Sequence, residues 1–529
     1  MSPVRRRAPE RKDRPLTVDR LNELLLVCAL VLLVAVAAVR ISTRSGLPTL
    51  LIYLGIGVAM GQDGLGVEFN DPELMQVLGY AALVMILAEG GLATRWRDIR
   101  PVMPGAAVLA TVGVGISVLV TAAAAHFLVG LPWQLSLILG AVVSSTDAAA
   151  VFSVLRTIPL PRRLSGMLEA ESGFNDAPVV ILVIAFSELA TNPMPWYQLI
   201  GQILFQLLVG LVAGVVVGKL GELAMRHVAL PSSGLYPIAV LALCVLSYAT
   251  GALAQGSGFL ATYICGLILG NAKLPHRPAV RGFADGVAWI AQIGMFVLLG
   301  LLATPSELAD DFWPAILIGL ALTAVARPLS VVVCLLPFRM PWREQVLMSW
   351  AGLRGAVPIV LATIPMVAGI ESSDRIFNIV FVLVVVYTLL QGPTLPRLGR
   401  MLRVGPADGT TDVEIESAPL ERLRGHLLSV AIPRASRMHG VEVNELRLPP
   451  GSAVTLVVRS GKSFVPSPTT VLMHGDELLV VATDAVRDAA ENRLLAVGRG
   501  GKLAGWLGRW PHPVPPGASG PPGRSAPSR

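Results

Sequence analysis

Charge is scarce in this sequence. Only 15% of its 529 residues are Asp, Glu, Lys or Arg, against roughly 25% in a soluble domain. A chain this poor in charge, with a mean hydropathy of +0.66, reads as an integral membrane protein whose first partner is the lipid bilayer. Cysteine is scarce too: Cys28, Cys244, Cys265 and Cys334 all fall in apolar stretches. They have neither metal-ligand nor disulfide spacing and read as small core hydrophobes. No His-Glu-x-x-His motif is present, and no loop rich in His and acids, which argues against a polytopic membrane enzyme. No Thr-Val-Gly-Tyr-Gly filter is present, which argues against a potassium channel. The net charge of +7 comes from basic residues spread through short loops. That is the pattern of membrane topology, and it excludes a nucleic-acid footprint.

What the chain does have is long apolar runs. Segments of about 17–25 apolar residues recur thirteen times between residues 21 and 400, the second and ninth being short and broken by glycine. Loops after odd-numbered segments carry the arginines: Arg95, Arg97 and Arg100; Arg162 and Arg163; Arg339 and Arg343; Arg397, Arg400 and Arg403. Loops after even-numbered segments carry acids, such as Asp63, Glu68, Asp71 and Glu73, or Glu307, Asp310 and Asp311. The alternation predicts thirteen spans, with the C-terminus in the cytoplasm. It also places the basic N-terminal tail, residues 1–20, on the outside. A cleaved signal peptide is the alternative, because Leu24 to Val39 resembles an apolar h-region. Cleavage would leave Arg40 and Arg44 outside, so an uncleaved first helix is the better reading.

Composition changes near residue 405. His426 to Ile432, Ala453 to Val458 and Glu477 to Val481 are short β-type runs between Gly and Pro turns, and Asp484 to Leu495 reads as a helix. Residues 405–500 are therefore expected to form a small α+β domain. Residues 501–529, rich in Pro, Gly and Ser, are expected to be disordered. The run Gly498-Arg-Gly-Gly-Lys502 follows no strand and lacks phosphate-loop spacing, so it reads as linker.

The chemistry lies in the membrane. Glu171-Ser172-Gly173-Phe174-Asn175-Asp176 sits inside the sixth apolar segment. A charge at that depth costs roughly 2.5–3.5 kcal/mol on insertion scales, and a chain that keeps one there is usually binding an ion or moving a proton. Asp176 is the candidate carrier. Burial disfavours the charged form of a carboxylate, which lets a proton and a cation compete for one site. Thr146, Asp147 and Ser172 are candidate oxygen partners, and Asn175 orients the site without adding charge. Glu171 is offset from Asp176 by about 140° on one helix, so it needs a different partner. Arg327, in the eleventh segment, is the candidate, as a structural ion pair. The fifth segment, with Ser144-Ser145-Thr146-Asp147, and the twelfth, with Gly352-Leu-Arg354-Gly355-Ala-Val-Pro358, both read as broken helices. Gly352 and Gly355 permit unwinding, and Arg354 neutralises exposed carbonyl ends or Asp147. Segments 1–6 and 8–13 then read as inverted repeats. Glu89 reads as helix-end packing, and His126 and Asp285 as interfacial residues.

These motifs resemble the monovalent cation:proton antiporter family of NhaP type, over residues 20–400. Thr146-Asp147 resembles that family's Thr-Asp-Pro element, with Ala148 in place of proline. Glu171 to Asp176 resembles its Glu-Ser-x-Phe-Asn-Asp element, and Pro178 follows where the family often has a small residue. Gly352 to Ala356 resembles its signature on helix 12, and Arg327 its arginine on helix 11. The resemblance implies crossed unwound helices, a homodimer, a Glu171–Arg327 pair and electroneutral exchange of K⁺ or Na⁺ for H⁺, with no cofactor. Val443 to Pro449 and His474 to Val481 resemble the TrkA C-terminal regulatory domain. No Gly-x-Gly-x-x-Gly fingerprint precedes it. That appendage implies a potassium/proton antiporter, with a small ligand acting on the C-terminal domain. An RCK-gated cation channel is a more distant alternative.

Overall fold

The computed structural model describes residues 18–45, 48–67, 69, 71–147, 160–191, 195–228, 230–272, 274–404, 414–420, 425–433, 436–483 and 485–502. Most of the basic tail, Ala148 with the rest of the fifth apolar segment, and residues 503–529 lie outside these. The chain divides into two compact units, Met1–Gly405 and Pro406–Arg529.

The first unit is helical. Its elements are α1 (Val18–Ser45), α2 (Thr49–Met60), α3 (Pro72–Ala93), α4 (Met103–Val129), α5 (Trp133–Val142), α6 (Arg162–Thr191) and α7 (Trp196–His227). Then come α8 (Leu235–Leu253), α9 (Gly258–Asn271), α10 (Arg277–Leu302), α11 (Phe312–Phe338), α12 (Trp342–Trp350), α13 (Ala356–Val367) and α14 (Ser373–Met401). Among the described residues, eight of these helices are long and apolar enough to cross a membrane, and five shorter apolar helices lie among them. The long ones are α3, α4, α6, α7, α8, α10, α11 and α14.

The helices pack through small residues, as expected where lipid gives no hydrophobic drive to association. A Cβ on Gly91 of α3 would sit 2.6 Å from the Tyr263 carbonyl of α9, and one on Gly266 of α9 would sit 2.9 Å from the Ala88 carbonyl. Only glycine allows that approach. One π-turn interrupts α4 at Leu109–Gly113 and another interrupts α11 at Leu322–Ala326. Pro178, which removes a backbone donor, lies inside α6 without ending it.

Two interruptions position the site. After α5 the chain runs from Val143 to Asp147 as turn and irregular backbone, and Ala351 to Gly355 does the same between α12 and α13. The twelfth apolar segment is thus two helices with a break between them. The two breaks meet: the Asp147 amide donates to the Leu353 carbonyl at 3.0 Å.

The second unit holds a five-stranded antiparallel sheet in the order β1-β2-β5-β3-β4. The strands are β1 (Glu414–Leu420), β2 (Gly425–Ala431), β3 (Ser452–Arg459), β4 (Lys462–Phe464) and β5 (Glu477–Thr483). Helix α15 (Arg487–Gly500) packs Ala490, Leu494 and Val497 against Leu428, Val430, Leu478 and Val480 of the sheet. β2, β3 and β5 are the strands that the sequence pattern marks. The pattern does not mark β1, an edge strand with two glutamates and a proline, or β4, only three residues long; both lack the apolar alternation of a half-buried strand. Gly498 to Gly500, read as linker, form the last turn of α15 instead. The Gly498 carbonyl accepts from the Arg437 amide at 2.9 Å.

Candidate ion-binding site

Helix α6 carries a polar stripe at helical spacing: Glu169, Ser172, Gly173 and Asp176 lie on one face. All four line a cavity of about 690 Å³. Its other walls are Glu89, Gly90 and Thr94 of α3 and its C-cap, Tyr263 of α9, Asp285 and Gln292 of α10, Ala356 and Val357 of α13, and Thr146 and Asp147 from the fifth-segment break. Five carboxyl-bearing residues, Glu89, Asp147, Glu169, Asp176 and Asp285, line this one cavity. Such a concentration of one sign focuses an electrostatic field that draws in cations.

Asp176 is 9% exposed. Its Oδ1 accepts from the Ser145 hydroxyl at 2.6 Å. Ser172 Oγ donates to the Thr146 carbonyl at 2.5 Å, and Asn175 Nδ2 donates to Thr146 Oγ1 at 2.6 Å. Helix α6 therefore grips the unwound Ser145–Thr146 stretch through three side-chain bonds and holds Asp176 against it. Thr146, Asp147, Ser172 and Asp176 all reach the cavity. Asn175, buried and off the cavity wall, fixes Thr146 from behind.

The second break is held by arginine. Arg354, 5% exposed, donates from Nε to the Val143 carbonyl at 2.9 Å and from Nη1 to the Gly352 carbonyl. Of the two roles expected for it, these bonds serve the carbonyl ends that unwinding leaves without partners. Gly355 stands against Asp147, where a Cβ would run into the carboxylate, and a Cβ on Gly352 would lie 2.7 Å from Arg354 Nη1 and 2.9 Å from Arg327 Nε. Glu171 points away from the cavity. Arg327 forks onto it, Nη1 to Oε1 and Nη2 to Oε2 at 2.9 Å, with the side chains 6% and 2% exposed.

Several residues in or beside the site do not stand out in the sequence. Ser145 is one, although it adjoins Thr146-Asp147. Glu169 is another, and its spacing of seven from Asp176 is a signal that places both on one helix face. Glu89 and Asp285, read as helix-end packing and interfacial, line the cavity. Tyr263 is 2% exposed, and its hydroxyl has no hydrogen-bond partner among the described residues. Its ring occupies the space that any side chain at position 173 would need. His126 stacks on Trp133 at 4.4 Å, away from this cavity.

A helical membrane bundle in which two interrupted helices meet beside buried carboxylates is the architecture of secondary ion transporters. The family model for the transmembrane part of sodium/hydrogen exchangers matches residues 29–400, and the TrkA-C domain model matches residues 427–495. The chain belongs to the sodium/hydrogen exchanger family. The K(+)/H(+) antiporter NhaP of Alkalimonas amylolytica is 36% identical over 474 residues, which cover 88% of this chain and 82% of that protein. The K(+)/H(+) antiporter NhaP2 of Shewanella oneidensis is 35% identical over 484 residues, covering 90% and 83%. Among solved structures, the sodium proton antiporter MjNhaP1 from Methanocaldococcus jannaschii superposes with a TM-score of 0.63 at 21% identity, over 73% of this chain and all of that one.

Proposed function

We propose that this chain exchanges K⁺ for H⁺ across the bacterial cytoplasmic membrane by alternating access, with Asp176 as the carrier. The observation that carries the reading is a nearly buried carboxylate at the wall of an acid-lined cavity, held against the broken fifth segment by Ser145. A proton neutralises that carboxylate and so does a monovalent cation. The two compete, and each crossing moves one or the other. Ser145, bonded to Asp176, and Thr146, Ser172 and Asp147, on the same cavity wall, are the oxygen-bearing groups that share a dehydrated cation with it. Glu169, Glu89 and Asp285 raise the local cation concentration in the cavity. Arg354 and the Glu171–Arg327 pair hold the breaks in shape while the site turns between the two faces of the membrane. No covalent chemistry is required, so the chain works as a transporter with no prosthetic group.

The relatives at 35–36% identity bear the name K(+)/H(+) antiporter; that favours K⁺ over the Na⁺ named for the Aphanothece halophytica Na(+)/H(+) antiporter ApNhaP, at 26% identity. The TrkA-C unit is assigned to the cytoplasm, where it binds a small regulatory ligand, and the transporter is assigned as a homodimer. The test is proton movement in liposomes loaded with a pH-sensitive dye, with K⁺, Na⁺ or Li⁺ added in turn. Collapse of an imposed pH gradient driven best by K⁺ supports the reading, and proton movement with none of the three, with residues 405–529 present or deleted, overturns it.

A further inference from the structure

A second cavity, of about 600 Å³, lies between α11, α12 and α14, away from the acid-lined one. Its walls are apolar: Pro328 and Val332 on α11, Val346 on α12, Leu398 on α14. Four of the polar side chains that line it are engaged within the protein, Gln345 Nε2 by donating to the Met340 carbonyl at 2.8 Å. Trp350 Nε1 donates to Thr394 Oγ1 at 2.9 Å, Thr394 Oγ1 to the Leu390 carbonyl at 2.7 Å, and Ser349 Oγ to the Gln345 carbonyl at 2.8 Å. A polar solute would find few groups to bond along these walls, Thr323 and Arg397 among them. An alkyl chain would find continuous apolar contact.

Among the described residues that line the groove, the charged one, Arg397, is basic. Arg343 stands beside it, its guanidinium 5.6 Å from the ring centre of Trp342, a 64%-exposed tryptophan that also lines the groove. Tryptophan with arginine marks the headgroup level of a membrane, and basic pockets between membrane helices take anionic lipid headgroups. We propose that this groove is a binding site for one anionic phospholipid, with an acyl chain between α11, α12 and α14 and the phosphate between Arg397 and Arg343.

The position gives the lipid a lever. Pro328 directly follows Arg327, which grips Glu171, and Trp350 directly precedes the Ala351–Gly355 break. A chain in the groove therefore packs against the backs of both supports of the ion site.

The test is native mass spectrometry of the purified full-length protein with phosphatidylglycerol and phosphatidylcholine, alongside thermal unfolding. The wild type is expected to retain phosphatidylglycerol preferentially and to unfold at a higher temperature with it. Arg397→Ala and Arg343→Ala are each expected to weaken phosphatidylglycerol retention about fivefold, the weight of one basic residue at an anionic surface, with phosphatidylcholine unchanged. Arg397→Lys restores the charge and is expected to recover most of the retention. Ala324→Trp, at an exposed position on the groove wall, is expected to displace both lipids by filling the space. Equal retention of the two lipids by the wild type, or phosphatidylglycerol retention that survives both arginine substitutions, overturns the proposal.

Discussion

Arg327 on α11 and Glu171 on α6 form a two-pronged ion pair almost wholly out of solvent, 156 residues apart in sequence. Removing one partner strands the other at bilayer depth. Arg327→Ala or Glu171→Ala is expected to destabilise the helical unit by about 3–5 kcal/mol, read as a fall in the unfolding temperature in detergent. Replacing both residues with apolar ones of similar size is expected to recover most of that loss, because no charge is then left unpaired.

Ser145 supplies the hydroxyl that bonds Asp176. Ser145→Ala removes a hydrogen bond to a charged group, an interaction worth roughly 1.5–3 kcal/mol. Exchange at sub-saturating cation is expected to fall on the order of tenfold or more, with the protein still folded. Initial rates in liposomes against cation concentration check this; a curve superimposable on wild type contradicts it.

Gly355 is required by the carboxylate beside it and not by its backbone angles. A Cβ there would run into Asp147 Oδ2. Gly355→Ala must push the Asp147 side chain aside or shift the break, and exchange is expected to be lost with little change in unfolding temperature. Gly369, with nothing within 4 Å of a built Cβ, provides the contrast. Its positive φ of 69° makes Gly369→Ala cost some stability, with transport per folded molecule unchanged.

These sites differ in how plainly the sequence announces them. Asp176, Glu171 and Arg327 stand out because charge inside a long apolar run demands an explanation, and the broken helices stand out through clustered Gly, Ser and Pro. Ser145 carries no such signal, since a buried serine costs little and occurs in many helices. Glu89 and Asp285 lie near helix ends, where acids are ordinary, and only the packing of α3 against α9 and α10 turns them towards one cavity. In the TrkA-C unit the strands that form the sheet interior alternate legibly, whereas β1 and β4 at its edges do not.

Within that unit, Glu445 closes a capping box. Its carboxylate accepts from the Glu442 amide at 2.8 Å and from Lys502 Nζ at 2.9 Å. The amide bond first and Lys502 second hold this carboxyl below the usual glutamate range. A depressed folded value contributes stability that is present above the unfolded pKa of about 4.3 and is lost as pH falls through the folded value. Glu445→Gln is expected to lower the unfolding temperature of the unit at neutral pH. The gap from wild type is expected to close on acidification below the carboxylate range. A gap independent of pH would contradict the assignment.

The central claim is that one carboxylate carries both ions. The most direct measurement compares wild type and Asp176→Asn in dye-loaded liposomes under an imposed pH gradient. The account predicts cation-dependent collapse of the gradient in the wild type, K⁺ most effective, and none in Asp176→Asn reconstituted at equal density. Exchange that persists in Asp176→Asn would contradict it, and so would a wild type that moves no protons with any cation even after residues 405–529 are deleted.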